Sequence, residues 1–141
     1  MRLSKALEAI DSRKEELPLT ERELAVLRET VEHYYRNPRS AKEGANGSCY
    51  YEHPNTGAAC AVGRCMTVAK RKELVKEGKN EAVVREIRVG YYLKQRYKGL
   101  SDRFWGFLQE LHDRACFWNG PGARGLTDKG LEFIINASRW Q

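Results

Sequence analysis

Hydrophobic positions recur at three- and four-residue spacing through most of the chain, the period of a helix that buries one face. Leu3, Leu7 and Ile10 mark a first short amphipathic helix over about 2–16, ended by Pro18. Thr20 with Glu23 three residues on reads as a capping box. It opens a second helix whose apolar face runs through Leu24, Leu27, Val31 and Tyr34/Tyr35 to about Arg36. The short connection between the two predicts an antiparallel helical hairpin.

After Arg36 the period is lost. Residues 37–48, NPRSAKEGANGS, have the composition of a loop. Cys49–Glu52 and Ala58–Ala61 then flank the turn residues His53-Pro-Asn-Thr-Gly57, predicting a small β-hairpin at about 49–61 that must pack on helices to be stable. Helical period resumes within Cys60–Gly63 and continues to Gly78. Asn80 stands where a cap is needed for the next helix, which reaches about Lys98 and buries Val83, Val84, Ile87 and Tyr91, with Gly90 as a point of weakness. Ser101 caps a further helix with a wide stripe of Phe104, Phe107, Leu108, Leu111, Ala115 and Trp118, stopped by Asn119-Gly-Pro-Gly122. Thr127 caps the last helix, which carries Leu131, Phe133, Ile134 and Ile135. The expected fold class is mainly α. It is a single compact domain of about five to six helices with one small β-hairpin, divided into a helical hairpin (1–36), a cysteine-containing segment (47–66), basic helices (67–98) and C-terminal helices (101–138).

Composition narrows the class without changing it. A chain of 141 residues can bury a core without disulfides. Its 31% of charged residues is accompanied by 10% aromatics, which argues against wholesale disorder. No apolar run approaches the ~18 residues of a membrane span, and MRLSKALEAIDSRKEE lacks the apolar stretch of a signal peptide. The expectation is a protein of the cytoplasm with no membrane association.

Charge changes the picture more. The net charge is +6, yet residues 64–98 hold eleven basic and four acidic side chains, more than the whole surplus. A located excess suits a site for phosphates or for an acidic protein. Alternation of Lys70, Arg71, Lys72, Lys76 and Lys79 with Glu73 and Glu77 also suits a solvated helix face laced with ion pairs. The candidate binding residues are Lys70, Arg71, Lys72, Arg85, Arg88, Tyr92, Lys94, Arg96 and Lys98, with Tyr91 and Tyr97 beside them. Tyrosines between cations can stack on bases or fill a protein interface.

Cysteines supply the other candidate chemistry. They stand at 49, 60, 65 and 116. Cys49/His53, Cys60/Cys65 and His112/Cys116 are spaced for metal ligation, but the tight Cys-x2-Cys pair usual in zinc sites is missing, and no metal or cofactor is assigned. A second reading makes Cys60 a nucleophile at a helix start, where the dipole lowers a thiol pKa, with His112 as base and Asp113 or Asn119 as orienter. In a third, Cys49 and Cys60 are small buried hydrophobes among close-packed Ala58, Ala59, Ala61 and Gly63, with one of Tyr50 and Tyr51 facing the core.

The segment Cys49-x-Tyr51, then Gly57-x-x-Cys60-Ala-Val-Gly63, resembles a signature of small uncharacterised proteins of phages and prophages. In those proteins a later Leu-Gln-x-x-His-Asp segment precedes a Trp-Asn pair and a Gly-Leu-Thr turn. Leu108-Gln109-Glu-Leu-His112-Asp113, Trp118-Asn119 and Gly125-Leu126-Thr127 follow the same layout. The resemblance covers roughly 47–66 and 104–135, and Arg64-Cys65-Met66 departs from it. It implies a phage or mobile-element origin, hence the cytoplasm of a bacterial host, and proximity of Cys49, Cys60, Gly63, His112, Asp113 and Asn119. It implies no activity.

Two functions therefore compete. One is a phage-type accessory protein that binds a host protein or nucleic acid through its basic surface, as inhibitors of host machinery or of bacterial immunity do. The other is a small cysteine-dependent enzyme built on Cys60 and His112.

Overall fold

The computed structural model describes residues 1–37, 50–54, 59–80, 87–119 and 125–136. The described elements are mainly α-helical: α1 (Leu3–Ser12), α2 (Glu21–Arg36), α3 (Val68–Lys76), α4 (Val89–Tyr92), α5 (Asp102–Asp113) and α6 (Asp128–Ile135). Short 3₁₀ turns lie at Gly63–Cys65, Gln95–Tyr97 and Ala115–Phe117. They group into two compact units, Met1–Pro38 with Arg114–Gln141, and Arg39–Asp113.

In the first unit, side-chain caps set the starts of α2 and α6. The Glu23 N–H donates to Thr20 Oγ1 at 3.1 Å and the Thr20 N–H to Glu23 Oε1 at 3.0 Å, which completes the capping box of α2. Thr127 caps α6 through the Gly130 N–H at 3.1 Å. Ala6 and Ile10 of α1, Leu27 and Val31 of α2, and Ile134 of α6 are fully buried, and α1 packs on both other helices. The turn before α6 is tied to the segment ahead of it. Thr127 donates its hydroxyl to Cys116 O at 2.6 Å and its N–H to Phe117 O at 2.9 Å, while Phe117 stacks on Phe133 at 4.7 Å. Gly130 allows that approach, because a Cβ there would lie 2.4 Å from Phe117 O.

In the second unit, backbone pairing across the chain overrides the expected helices. Residues 60–78 do not form one helix. The chain makes the 3₁₀ turn Gly63–Cys65, straightens at Met66 and starts again at α3, capped by Thr67 through the Lys70 N–H at 3.1 Å. Met66 straightens because it forms an antiparallel bridge with Leu93, flanked by Lys94 N–H to Cys65 O at 2.8 Å and Thr67 N–H to Tyr92 O at 3.1 Å. That bridge also interrupts the helix expected up to Lys98. Within its described part, residues 87–98, only α4 and the 3₁₀ turn Gln95–Tyr97 are helical, and the break falls at Leu93 rather than at Gly90.

The residues that Asn80 was expected to cap, 81–86, lie outside the described ones, and its described contacts run the other way. Its main-chain carbonyl accepts from the Tyr51 N–H at 2.8 Å. Its side-chain amide pairs with both backbone groups of Glu52, accepting at 3.0 Å and donating at 2.7 Å. Asn80 thereby acts as a strand partner for Tyr51–Glu52. The expected hairpin over 49–61 is reduced, among the described residues, to the single antiparallel bridge Glu52–Ala59, and its turn 55–58 and Cys49 lie outside them. Of the adjacent tyrosines, Tyr51 is the fully buried one.

The helix capped by Ser101 is shorter than its apolar stripe. The Phe104 N–H donates to Ser101 Oγ at 3.1 Å, and α5 then ends at Asp113, so Ala115 and Trp118 lie beyond it. Phe104, Leu108, Leu111 and Trp105 of α5 form the centre of this unit's core, with Tyr97 edge-on to Trp105 at 6.4 Å. No helix among the described residues is long and apolar enough to cross a membrane.

Candidate functional site

The basic cleft is assembled by two chain reversals. The first follows α3, where Gly78 takes φ +71°, the Gly78 N–H reaches Val75 O at 3.1 Å and the Lys79 N–H reaches Leu74 O at 2.9 Å. This is the Schellman arrangement, and glycine suits it because the left-handed conformation is costly for other residues. It delivers Lys79 to one side of an open cleft of about 940 Å³. The second is the stop at Leu93, which holds α4 as a single turn and lets Arg88, Tyr91 and Tyr92 line the cleft with Lys98 and Asp102. Three cations from separate parts of the chain therefore converge beside two aromatic rings and one carboxylate.

Tyr91 and Tyr92 exchange the roles expected of them. Tyr91 is 53% exposed and Tyr92 only 7%. A continuous helix from Asn80 would bury Tyr91 with Ile87. Because α4 begins at Val89, the inward positions are instead Val89 and Tyr92, three apart. The Tyr91 ring is oriented edge-on by Tyr92, with centroids 4.9 Å apart, and Lys70 Nζ lies 3.8 Å from its centroid. The Lys70 amine is held above its ordinary pKa, first by its hydrogen bond to Tyr91 and then by Glu73. Burial pushes the Tyr92 phenol up, and Glu77 and Glu73 add to the shift.

The other predicted binding residues divide. Lys72, Arg88, Lys94 and Arg96 are exposed, with the Arg96 guanidinium over the Tyr97 ring at 4.3 Å. Arg71 turns inward. It donates to Gly63 O at 3.2 Å and forms an ion pair with Glu52 at 3.4 Å, its side chain only 14% exposed, so it braces α3 against the turn at Gly63. Arg85 lies outside the described residues. Tyr91, expected beside the cations, lines the cleft, and so do Lys79 and Asp102, which were not among the predicted residues. The signal for Lys79 is the glycine just before it; none points to Asp102.

The cysteine segment takes a structural form. Gly63 sits where a Cβ would lie 2.1 Å from Tyr51 O, so the close approach of the Tyr51 main chain requires glycine at this position. Cys60 and Cys65 are both fully buried. The Gly63 N–H donates to Cys60 Sγ at 3.3 Å, and the Cys65 thiol donates to Ala61 O at 3.6 Å. The expected lowering of the Cys60 pKa is reversed: burial pushes the thiol up to about 12, opposed by the Gly63 N–H and reinforced by the charge of Asp113. Such a thiol stays protonated at neutral pH.

The predicted base and orienter do adjoin. His112 Nδ1 lies 3.1 Å from Asp113 Oδ1, which also accepts from Gln109 Nε2 at 2.6 Å, but the His112 side chain is fully buried. Asn119 belongs to the other unit, where it donates its N–H to Gly125 O at 2.8 Å and Nδ2 to Leu126 O at 3.4 Å. Among the described residues no three His, Cys, Asp or Glu side chains are grouped to hold a metal ion. No family model matches the chain, and no curated protein or solved structure matches it.

Proposed function

We propose that this chain is an accessory protein of phage or prophage type that works by binding, through the basic surface of residues 64–98, to an acidic component of a host cell. The convergence of Lys79, Arg88 and Lys98 on one open cleft carries the reading. A solvated helix face would scatter its cations, whereas cations gathered at a concavity raise the local potential that an anion meets. The neighbouring Lys72, Lys94 and Arg96 extend the same sign of charge on exposed positions. The phage assignment is supported by the signature around Cys49–Gly63 and by the His112-Asp113 and Trp118-Asn119 segments. The enzyme reading lacks comparable support, since its nucleophile is buried and protonated.

Affinity pull-down from bacterial lysate, with and without nuclease and at low and moderate salt, tests the proposal. Capture through this surface is expected to weaken steeply as salt rises. Capture indifferent to salt, or unchanged when Arg88 and Lys79 are replaced by alanine, counts against it.

A further inference from the structure

Resting on that reading, we propose that the cleft beside α4 is a site for single-stranded nucleic acid, with a base stacked on Tyr91 and the adjoining phosphates held by Arg88, Lys79 and Lys98. Four features of the cleft lead there. It is concave and of the size that holds small ligands or a few linked nucleotides, about 940 Å³, where a protein partner would need a broader face. Its cations are guanidinium and ammonium groups brought together from separate segments of the chain. Arg88 makes no ion pair with any described residue.

Tyr91 supplies what phosphate binding alone does not require. It is one of three exposed large hydrophobic residues among those described, with Val68 and Val75, and of these it alone lines the cleft. Its ring is already set in place by Tyr92 and Lys70, so little side-chain freedom is lost when a flat base lies against it. Asp102 gives the fourth feature. A carboxylate on the cleft wall repels a ligand made only of phosphates, but accepts hydrogen bonds from base amino groups or a sugar hydroxyl. Duplex DNA keeps its bases stacked inside and would present only phosphates to this wall. A single strand can turn bases inward.

The test is fluorescence anisotropy with three probes of equal length: a single-stranded dodecamer, an abasic dodecamer of the same charge, and a duplex. Expected is binding of the base-bearing strand about tenfold tighter than the abasic strand. Tyr91→Ala should abolish that difference while Tyr91→Phe keeps it. Arg88→Ala with Lys79→Ala should weaken both strands alike. Far-UV circular dichroism confirms that each variant retains its helices. Equal binding of abasic and base-bearing strands, or tighter binding of duplex, overturns this proposal and leaves the basic-surface reading standing. Failure to bind any of the three at low salt, with a nuclease-resistant protein captured from lysate instead, overturns the nucleic-acid site and keeps the surface. Failure of both experiments overturns both.

Discussion

A Cβ built on Gly63 would meet Tyr51 O at 2.1 Å, while one built on Gly106, on the exposed side of α5, meets nothing within 4 Å. The two glycines therefore respond oppositely to alanine. Gly63→Ala should destabilise the fold by about 1–3 kcal/mol or more, because backbone rather than a mobile side chain must yield. Gly106→Ala should stabilise it by about 0.5–1 kcal/mol through helix propensity. Both are read as a shift of the urea midpoint at unchanged slope. Cys60 gives a prediction in pH. Its thiol is raised from the usual 9.0 to about 12, so its protonated form is the one the fold prefers. Stability from this source is whole below pH 9 and is lost as pH rises, since the unfolded thiol ionises first. The loss is about 1.4 kcal/mol per pH unit once the unfolded thiol is ionised. Urea titrations at pH 8, 9 and 10 should show a steeper decline for the natural chain than for Cys60→Ala.

At the scale of elements, the caps were legible because each is written in neighbouring residues. Thr20 with Glu23, Ser101 and Thr127 all do what their spacing to the next helix demands. The extents of 60–78 and 80–98 were not legible, because Met66 and Leu93 pair across twenty-seven positions and no local period records such a pairing. Asn80 shows the same limit. Its amide is engaged by the backbone of Glu52, twenty-eight residues away, a partner that no local pattern records. Asn80→Ala should cost roughly 1–3 kcal/mol by leaving both Glu52 backbone groups without that partner. It should also raise amide exchange at Tyr51 and Glu52. An exchange pattern altered only after residue 81, as for a lost cap, would contradict this account.

At the scale of the molecule, the first unit closes a core from the two ends of the chain, with α1 against α6. Ile134 is fully buried there, as are Ala6 and Ile10. Ile134→Ala should therefore cost about 2–5 kcal/mol and speed amide exchange in α1 as well as in α6, despite more than a hundred intervening residues. Exchange raised in α6 alone would show that the two helices do not share a cooperative core. Charge behaves differently at this scale. The surplus in 64–98 is a property of the sequence, but which of its cations meet is not. Arg71 is drawn inward to Glu52 and Gly63, while Lys79 and Arg88 line one cleft.

What the sequence determined by itself is local: helical character, the residues that cap α2, α5 and α6, and the position of the charge excess. Each follows from side chains a few positions apart. Only the tertiary structure decided that Tyr91 rather than Tyr92 faces solvent, that Cys60 is buried and protonated, and that a cleft forms at α4. The cleft depends on contacts between residues far apart in the chain, such as the pairing of Met66 with Leu93 that ends α4. Such a pairing joins residues twenty-seven positions apart, and no periodicity within either partner encodes it.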